Sequence, residues 1–117
     1  NKEILLDSRS SLYGGSFLCD FSTNDPLKIQ KIISYLSKID NPVLMDIGAS
    51  TGSYSLLPVL INDLHVHSFE PSKAFEVLEK NVILNKISNK VTLNNKAVAE
   101  TKNPNLTKIE AEYRSVL

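Results

Sequence analysis

The pattern of apolar and polar positions predicts a helix near the start of the regular part of the chain. Its apolar residues recur every three or four positions: Ile29, Ile32, Ile33, Leu36 and Ile39. Pro26 suits the first turn, and Asn24 or Asp25 can cap the helix. Pro42 ends it, because the residue before a proline avoids the helical conformation. We expect a helix that packs against a core.

Three short runs predict strands. The runs are Val43–Ile47, His65–Phe69 and residues 91–93, with residues 97–99 as a continuation of the third. The first run is apolar throughout except for Asp46, which is typical of a strand covered on both faces. The sequence therefore predicts a buried strand that carries one acid.

Two further helices are predicted between the strands. Residues 53–61 form the first, although Pro58 lies inside it and should bend or shorten it. Residues 72–85 form the second, and Ser72 can cap it. Because helices and strands alternate, we expect right-handed crossovers and a parallel sheet with helices on its faces.

The chain divides into three regions. Residues 1–25 form an N-terminal segment, in which Gly14 and Gly15 between short apolar runs are typical of a hairpin. Residues 26–100 form the α/β domain. Residues 101–117 are mostly polar and contain Pro104, so a tail or a short helix is expected there.

Composition and charge exclude some partners. The chain has 117 residues, and 13 basic against 13 acidic side chains give a formal net charge of zero. Such a balance gives no electrostatic footprint for nucleic acid or for an anionic membrane, and neither is expected as a partner. Cys19 stands alone, and no signal peptide or membrane-spanning run is visible, so we expect a cytoplasmic protein.

A turn that contains two of the four glycines follows the first predicted strand. Open parallel sheets bind ligands beyond the carboxyl ends of their strands, where this turn falls. Gly48 would permit a close approach of the backbone to a ligand, and Gly52 would let the next helix pack close to the strand. Asp46 places a negative charge beside the turn, which favours a ligand with an ammonium or sulfonium group over a phosphate.

A second acid ends the next strand. Glu70 lies 24 positions after Asp46, and an acid there can accept hydrogen bonds from both hydroxyls of a ribose. Since no G-x-G-x-x-G motif is present, the two acids favour S-adenosylmethionine over a dinucleotide. Each acid also has a structural explanation. Asp46 can accept backbone N–H groups at a helix start, and Glu70 can be an exposed residue before a proline turn.

Three stretches extend this pattern: DIGASTGSYSLL, HSFEPSKAFEVLEKNVILN and VTLNNKAVAE. Together they resemble the FkbM family of S-adenosylmethionine-dependent methyltransferases over residues 43–100, roughly half of the chain. That family has an Asp-x-Gly-Ala-Asn-x-Gly turn, then Phe-Glu-Pro, a helix with Leu-x-x-Asn-x-x-x-Asn and a strand ending near Ala-Val. The matching residues are Asp46, Gly48, Ala49, Gly52, Phe69, Glu70, Pro71, Leu78, Asn81, Asn85, Ala97 and Val98.

The resemblance implies a cofactor site. The residues implied to bind S-adenosylmethionine are Asp46, Gly48, Ala49, Ser50, Gly52, Glu70, Pro71 and Ala97. Asp46 and the turn with Gly48 and Ala49 would contact the methionine end. Glu70 would hold the ribose, and Pro71 and Ala97 would lie near the adenine. Ser50 stands where the family usually has Asn. Asn81 and Asn85 are expected to be helix-end and packing residues rather than ligands.

The resemblance also implies a fold and a reaction. The fold would be a Rossmann-like three-layer α/β/α methyltransferase fold, incomplete here because three strands make the first half of a seven-stranded sheet. The reaction would transfer a methyl group to an oxygen of a small molecule or carbohydrate. The oligomeric state stays open, with a homo-oligomer as one option. Nothing after Thr101 matches the family and the chain starts at Asn1, so we expect a fragment of a larger enzyme.

Two other functions stay open. A nicotinamide-dependent Rossmann oxidoreductase has a similar sheet, but the acid before the glycines and the missing glycine motif weigh against it. The other is a non-catalytic methyltransferase-like domain that keeps the fold for partner contacts. His65 and His67 share one face of a strand, as metal ligands can, but no third ligand is evident and no metal is expected.

Overall fold

The computed structural model describes residues 3–13 and 26–100. The regular elements within them are α1 (Pro26–Leu36), β1 (Val43–Ile47), β2 (His65–Phe69), α2 (Ala74–Leu84), β3 (Val91–Asn94) and two 3-10 helices, Ser8–Tyr13 and Leu57–Val59. In these two ranges no helix is long and apolar enough to cross a membrane.

Several predictions fall on residues that the structure does not describe. These are the hairpin around Gly14 and Gly15, the caps at Asn24 and Asp25, and the short helix within residues 101–117. In the described part of the N-terminal segment the chain forms the 3-10 helix Ser8–Tyr13, which packs against α2.

The strands and both α-helices lie close to their predicted positions. Helix α1 starts at Pro26 but ends at Leu36, so the prediction that Ile39 belongs to it and that Pro42 ends it is wrong; Ile39 lies in the following turn and is 41% exposed. The N-cap of α2 is Lys73 rather than the predicted Ser72, although the Ser72 hydroxyl accepts a hydrogen bond from the backbone N–H of Ala74, the first residue of the helix, at 3.1 Å.

Two predicted elements are wrong. Residues 53–61 form turns and the 3-10 helix Leu57–Val59 instead of an α-helix, because Pro58 has no N–H to donate and its ring opposes a longer helix. Residues 97–99 do not continue β3, which ends at Asn94. Asn94 pairs with Phe69, the last residue of β2, so the chain beyond it has no strand to pair with.

The three strands form a parallel sheet in the order β1-β2-β3. The register runs from Val43 opposite His65 to Ile47 opposite Phe69, and β2 pairs with β3 in the same direction. The expected parallel sheet with helices is therefore present, and the carboxyl ends of β1 and β2 lie side by side.

One face of the sheet carries the core. Val66 and Val91, which lie opposite each other, are buried and belong to one apolar cluster. The other members of this cluster are Leu36, Ala49, Leu56, Leu57, Ile61, Leu64, Leu78, Val82 and Ile87. Both α-helices and the segment between β1 and β2 thus contribute to the same core.

The other face of β1 is open in the described part of the chain. Val43, Met45 and Ile47 alternate along the strand and are 62%, 58% and 59% exposed. The expectation that β1 is covered on both faces is therefore wrong for these residues. The apolar run cannot distinguish the two faces, and the described helices leave this one uncovered.

We predict that truncation of Met45 and of Leu78 will have very different effects. Leu78→Ala should lower the free energy of unfolding by about 2–5 kcal/mol, because Leu78 is fully buried. Met45→Ala should change it by less than about 0.5 kcal/mol, because Met45 faces solvent. Urea denaturation of both variants measures the difference. A large loss at Met45 would show that another part of the chain covers this face.

Candidate functional site

The loop of residues 48–52, here called the glycine loop, is fixed to the end of β2. The backbone N–H groups of Gly48 and Ala49 both donate to the carbonyl of Phe69, at 2.9 and 3.0 Å. The N–H of Gly52 donates to the carbonyl of Ala49 at 2.9 Å, which closes the turn. The loop therefore lies at the carboxyl ends of two neighbouring parallel strands.

Three residues of the glycine loop have a left-handed backbone. They are Gly48 at φ +76°, Ser50 at φ +51° and Gly52 at φ +111°. Glycine adopts such angles freely, whereas a serine costs about 1 kcal/mol. Asparagine tolerates this region better than most residues, which gives a physical reason for the Asn that the FkbM family usually carries at the position of Ser50.

The two glycines differ in what surrounds them. A Cβ at Gly52 would lie 3.0 Å from Cδ1 of Leu78 and 3.4 Å from Cγ of Leu56. The close packing predicted at Gly52 is present, but its main partner is α2 rather than a helix that follows the loop. A Cβ at Gly48 would meet nothing within 4 Å. The side of the loop at Gly48 is therefore open to the approach of a ligand.

The carboxylate of Glu70 ties the glycine loop to the start of α2. Its Oε2 accepts the backbone N–H of Ser50 at 2.6 Å, and its Oε1 accepts the backbone N–H of Ser72 at 3.0 Å. Glu70 is 1% exposed, so the interpretation of Glu70 as an exposed strand-end residue is wrong. A buried carboxylate needs such donors, and here the backbone supplies them.

Asp46 lies at the carboxyl end of β1 and is also buried, at 7% exposed. Its Oδ2 accepts the hydroxyl of Ser55 at 2.6 Å, and the hydroxyls of Ser55 and Ser68 are 2.6 Å apart. Since the single proton of Ser55 goes to Asp46, Ser68 donates to Ser55. The backbone of Ser55 also hydrogen-bonds to Asp46, so the structural explanation of this acid is supported in part, at a turn after the glycine loop rather than at a helix start.

The surroundings of Asp46 shift its pKa. Burial raises the pKa of the Asp46 carboxyl above its usual range, the hydrogen bonds from Ser55 oppose this, and the charge of Glu70 adds to the rise. The two acids therefore lie near enough to interact, at the same end of the sheet. Sequence reasoning missed Ser55 and Ser68, although the predicted parallel pairing of the strands brings Ser68 opposite Asp46.

Pro71 and Ala97 lie in the chain that follows β2 and β3, respectively. Pro71 is half-buried directly after Glu70, and Ala97 is exposed in the coil after β3. Asn95, two residues before Ala97, donates its side-chain N–H to the carbonyl of Glu70 at 2.9 Å. The end of β3 is thereby joined to the end of β2, near the position implied for adenine.

The two histidines of β2 contact each other, and one of them hydrogen-bonds to a threonine of β3. Their ring centroids are 4.9 Å apart, and Nε2 of His65 lies 2.8 Å from the hydroxyl of Thr92. Among residues 3–13 and 26–100, no three acidic, histidine or cysteine side chains are grouped so as to hold a metal ion.

Solved structures share this fold. A Methanococcus maripaludis protein, provisionally described as an S-adenosyl-L-methionine-dependent methyltransferase, matches with a TM-score of 0.54 and 13% identity. The match covers 92% of this chain and 57% of that one. The N-terminal domain of human METTL16 matches with a TM-score of 0.50 and 18% identity, over 84% of this chain and 47% of that one. The chain thus has a Rossmann-like α/β fold and spans about half the length of these structures.

The comparisons define the fold without defining a family. No protein-family model matches the chain, and no curated protein matches it. The FkbM family therefore stays a prediction that rests on the motifs.

We predict that alanine is tolerated less well at Gly52 than at Gly48. Both positions need a left-handed backbone, so each substitution should lower the free energy of unfolding by roughly 1–2 kcal/mol. At Gly52 the contact with Leu78 should add about 1–3 kcal/mol. Urea denaturation of the two variants gives the difference, and equal losses would contradict the packing at Gly52.

We predict that Asp46→Asn gains stability over the wild type as the pH rises. The pKa of Asp46 is higher in the folded chain, so its contribution to stability is full below its unfolded pKa and is lost as the pH rises through the folded value. The asparagine does not titrate, and its oxygen can still accept the hydroxyl of Ser55. Denaturation between about pH 4 and pH 8 tests this, with exposed Asp40→Asn as the control. A difference that does not change with pH would contradict it.

Proposed function

We propose that the chain is the cofactor-binding part of an S-adenosylmethionine-dependent methyltransferase. The proposal rests on one observation: the glycine loop, Asp46 and Glu70 lie together at the carboxyl ends of β1 and β2. Ligands of open α/β sheets bind at such strand ends. The fold shared with a protein provisionally described as a methyltransferase adds support.

The residues present fit the methionine end of this cofactor. The open side of Gly48 leaves room for a ligand against the backbone, and a buried carboxylate lies beside it at Asp46. The amino acid part of S-adenosylmethionine carries an ammonium group, which would donate a hydrogen bond to this carboxylate. The backbone of Ala49, Ser50 and Gly52 would form the rest of the glycine loop around this end of the cofactor.

The ribose would be held by Glu70. Each carboxylate oxygen has a second lone pair beyond the one that a backbone N–H occupies, so two hydroxyls can be accepted without loss of the existing bonds. Since Glu70 is 1% exposed, a local movement that keeps the Ser50 and Ser72 bonds would have to bring its oxygens within reach of the ribose. Pro71 and Ala97 would flank the adenine.

The bound cofactor would supply a methyl group on a sulfonium, and the protein would align it with the acceptor. The FkbM resemblance supports transfer to an oxygen of a small molecule or carbohydrate. The cytoplasm is proposed as the compartment because Cys19 has no second cysteine in this sequence to pair with. The chain spans about half the length of the matching structures, so the acceptor site and the activity of the whole protein are part of this proposal.

A non-catalytic domain is the second candidate. It is favoured by one observation, that both acids already have partners within the protein: Asp46 has Ser55, and Glu70 has two backbone N–H groups. In that case the acids would only stabilise the loop, and the chain would bind no cofactor.

We predict that the chain binds S-adenosylhomocysteine and not NAD in calorimetric titrations. Asp46→Asn should weaken this binding at least about tenfold, because a charged hydrogen bond to the ammonium group is lost. Glu76→Gln, at an exposed position of α2, removes one charge and should leave the affinity unchanged. Binding of NAD alone would favour the oxidoreductase, and binding of neither ligand would favour the non-catalytic domain.

A further inference from the structure

The two asparagines of the predicted Leu-x-x-Asn-x-x-x-Asn pattern hold the N-terminal segment. Asn81 lies within α2 and Asn85 caps its end, so the two side chains lie on one face, four positions apart. Asn81 is fully buried, although its amide group is polar. We call this pair the asparagine clamp.

The asparagine clamp contacts the backbone of residues 5–7. Asn85 accepts the N–H of Leu5 at 2.8 Å and donates to the carbonyl of Leu5 at 2.7 Å, as a neighbouring strand would. Oδ1 of Asn81 accepts the N–H of Asp7 at 2.6 Å. The side chains of Asn81 and Asn85 thus bond backbone groups of residues 5–7 that a neighbouring strand would bond in a sheet.

Asn81 also reaches the glycine loop. Its Nδ2 donates to the carbonyl of Thr51 at 2.8 Å and to the hydroxyl of Ser10 at 3.0 Å. Thr51 lies between Ser50 and Gly52, two of the three left-handed residues of the glycine loop. The Ser50 N–H in turn bonds Glu70. One side chain therefore connects the N-terminal segment with the loop of the candidate site.

We propose that Asn81 is a positioning residue for the glycine loop and that residues 5–10 act through it as part of the loop's support. Since Thr51 is buried, its carbonyl has no water to replace Asn81 as a donor. Loss of that donor should allow the Thr51 peptide to turn and the Ser50 N–H to leave Glu70. The effect on a cofactor rests on the proposed function, whereas the effect on the loop does not.

The test compares Asn81→Asp with Asn85→Asp, which add the same charge to the same helix. An aspartate at 81 keeps the acceptor for the N–H of Asp7 but cannot donate to Thr51 or Ser10. An aspartate at 85 loses only its bonds to the carbonyls of Leu5 and Asn81. The readouts are hydrogen exchange of the Ser50 amide and the affinity for S-adenosylhomocysteine, both measured well below the melting temperature.

We expect Asn81→Asp to speed Ser50 exchange and weaken the affinity at least about tenfold each, while Asn85→Asp changes either by less than about twofold. Equal effects of the two variants would overturn the proposal, because the clamp would then be purely structural. If the wild type binds no S-adenosylhomocysteine, the proposed function fails, and the exchange rates still decide the role of Asn81.

A milder pair covers the case in which Asn81→Asp does not fold. Ser10→Ala removes one partner of Asn81, and Ser11→Ala removes a hydroxyl that bonds only the nearby carbonyl of Ser8. Ser10→Ala should speed Ser50 exchange several-fold and Ser11→Ala should not. The same rate in both variants would overturn the part played by residues 5–10.

Discussion

The buried carboxylate of Glu70 is the constraint on which the site depends. A charged group with almost no contact with water must be surrounded by donors, and Glu70 takes them from the backbone on both sides, at Ser50 and Ser72. These two bonds fix the glycine loop after β1 against the segment that leads into α2. Any ligand at the strand ends therefore has to bind beside a loop whose position these two bonds fix.

The rest of the loop is held by similarly internal bonds. The carbonyl of Phe69 accepts two N–H groups of the loop, and Asn81 donates to the carbonyl of Thr51. The loop is therefore supported by β2, by α2 and, through Asn81, by the N-terminal segment. A backbone with three left-handed residues is kept in place because its surroundings allow few alternatives.

Several features were predictable because they depend on local sequence. Helical spacing in α1 and α2 and the apolar runs of the strands gave the element order, and the order gave the parallel sheet. The grouping of Asp46, the glycines and Glu70 at one end of the sheet also followed, since parallel strands end on the same side. Pro58 predicts a bent or shortened helix within residues 53–61, and the structure has only the 3-10 helix Leu57–Val59 there.

By itself, the sequence determined the elements, their direction and the kinds of side chain at the strand ends, because these follow from spacing over a few residues. The tertiary structure decided which groups those side chains bond. Within the described residues it buried Glu70 and bonded it to the glycine loop, placed Ser55 between Asp46 and Ser68, left one face of β1 open and brought Asn81 between Thr51 and Ser10. Such pairings join residues as many as 71 positions apart, and spacing along the chain carries no record of contacts that arise only when the core packs.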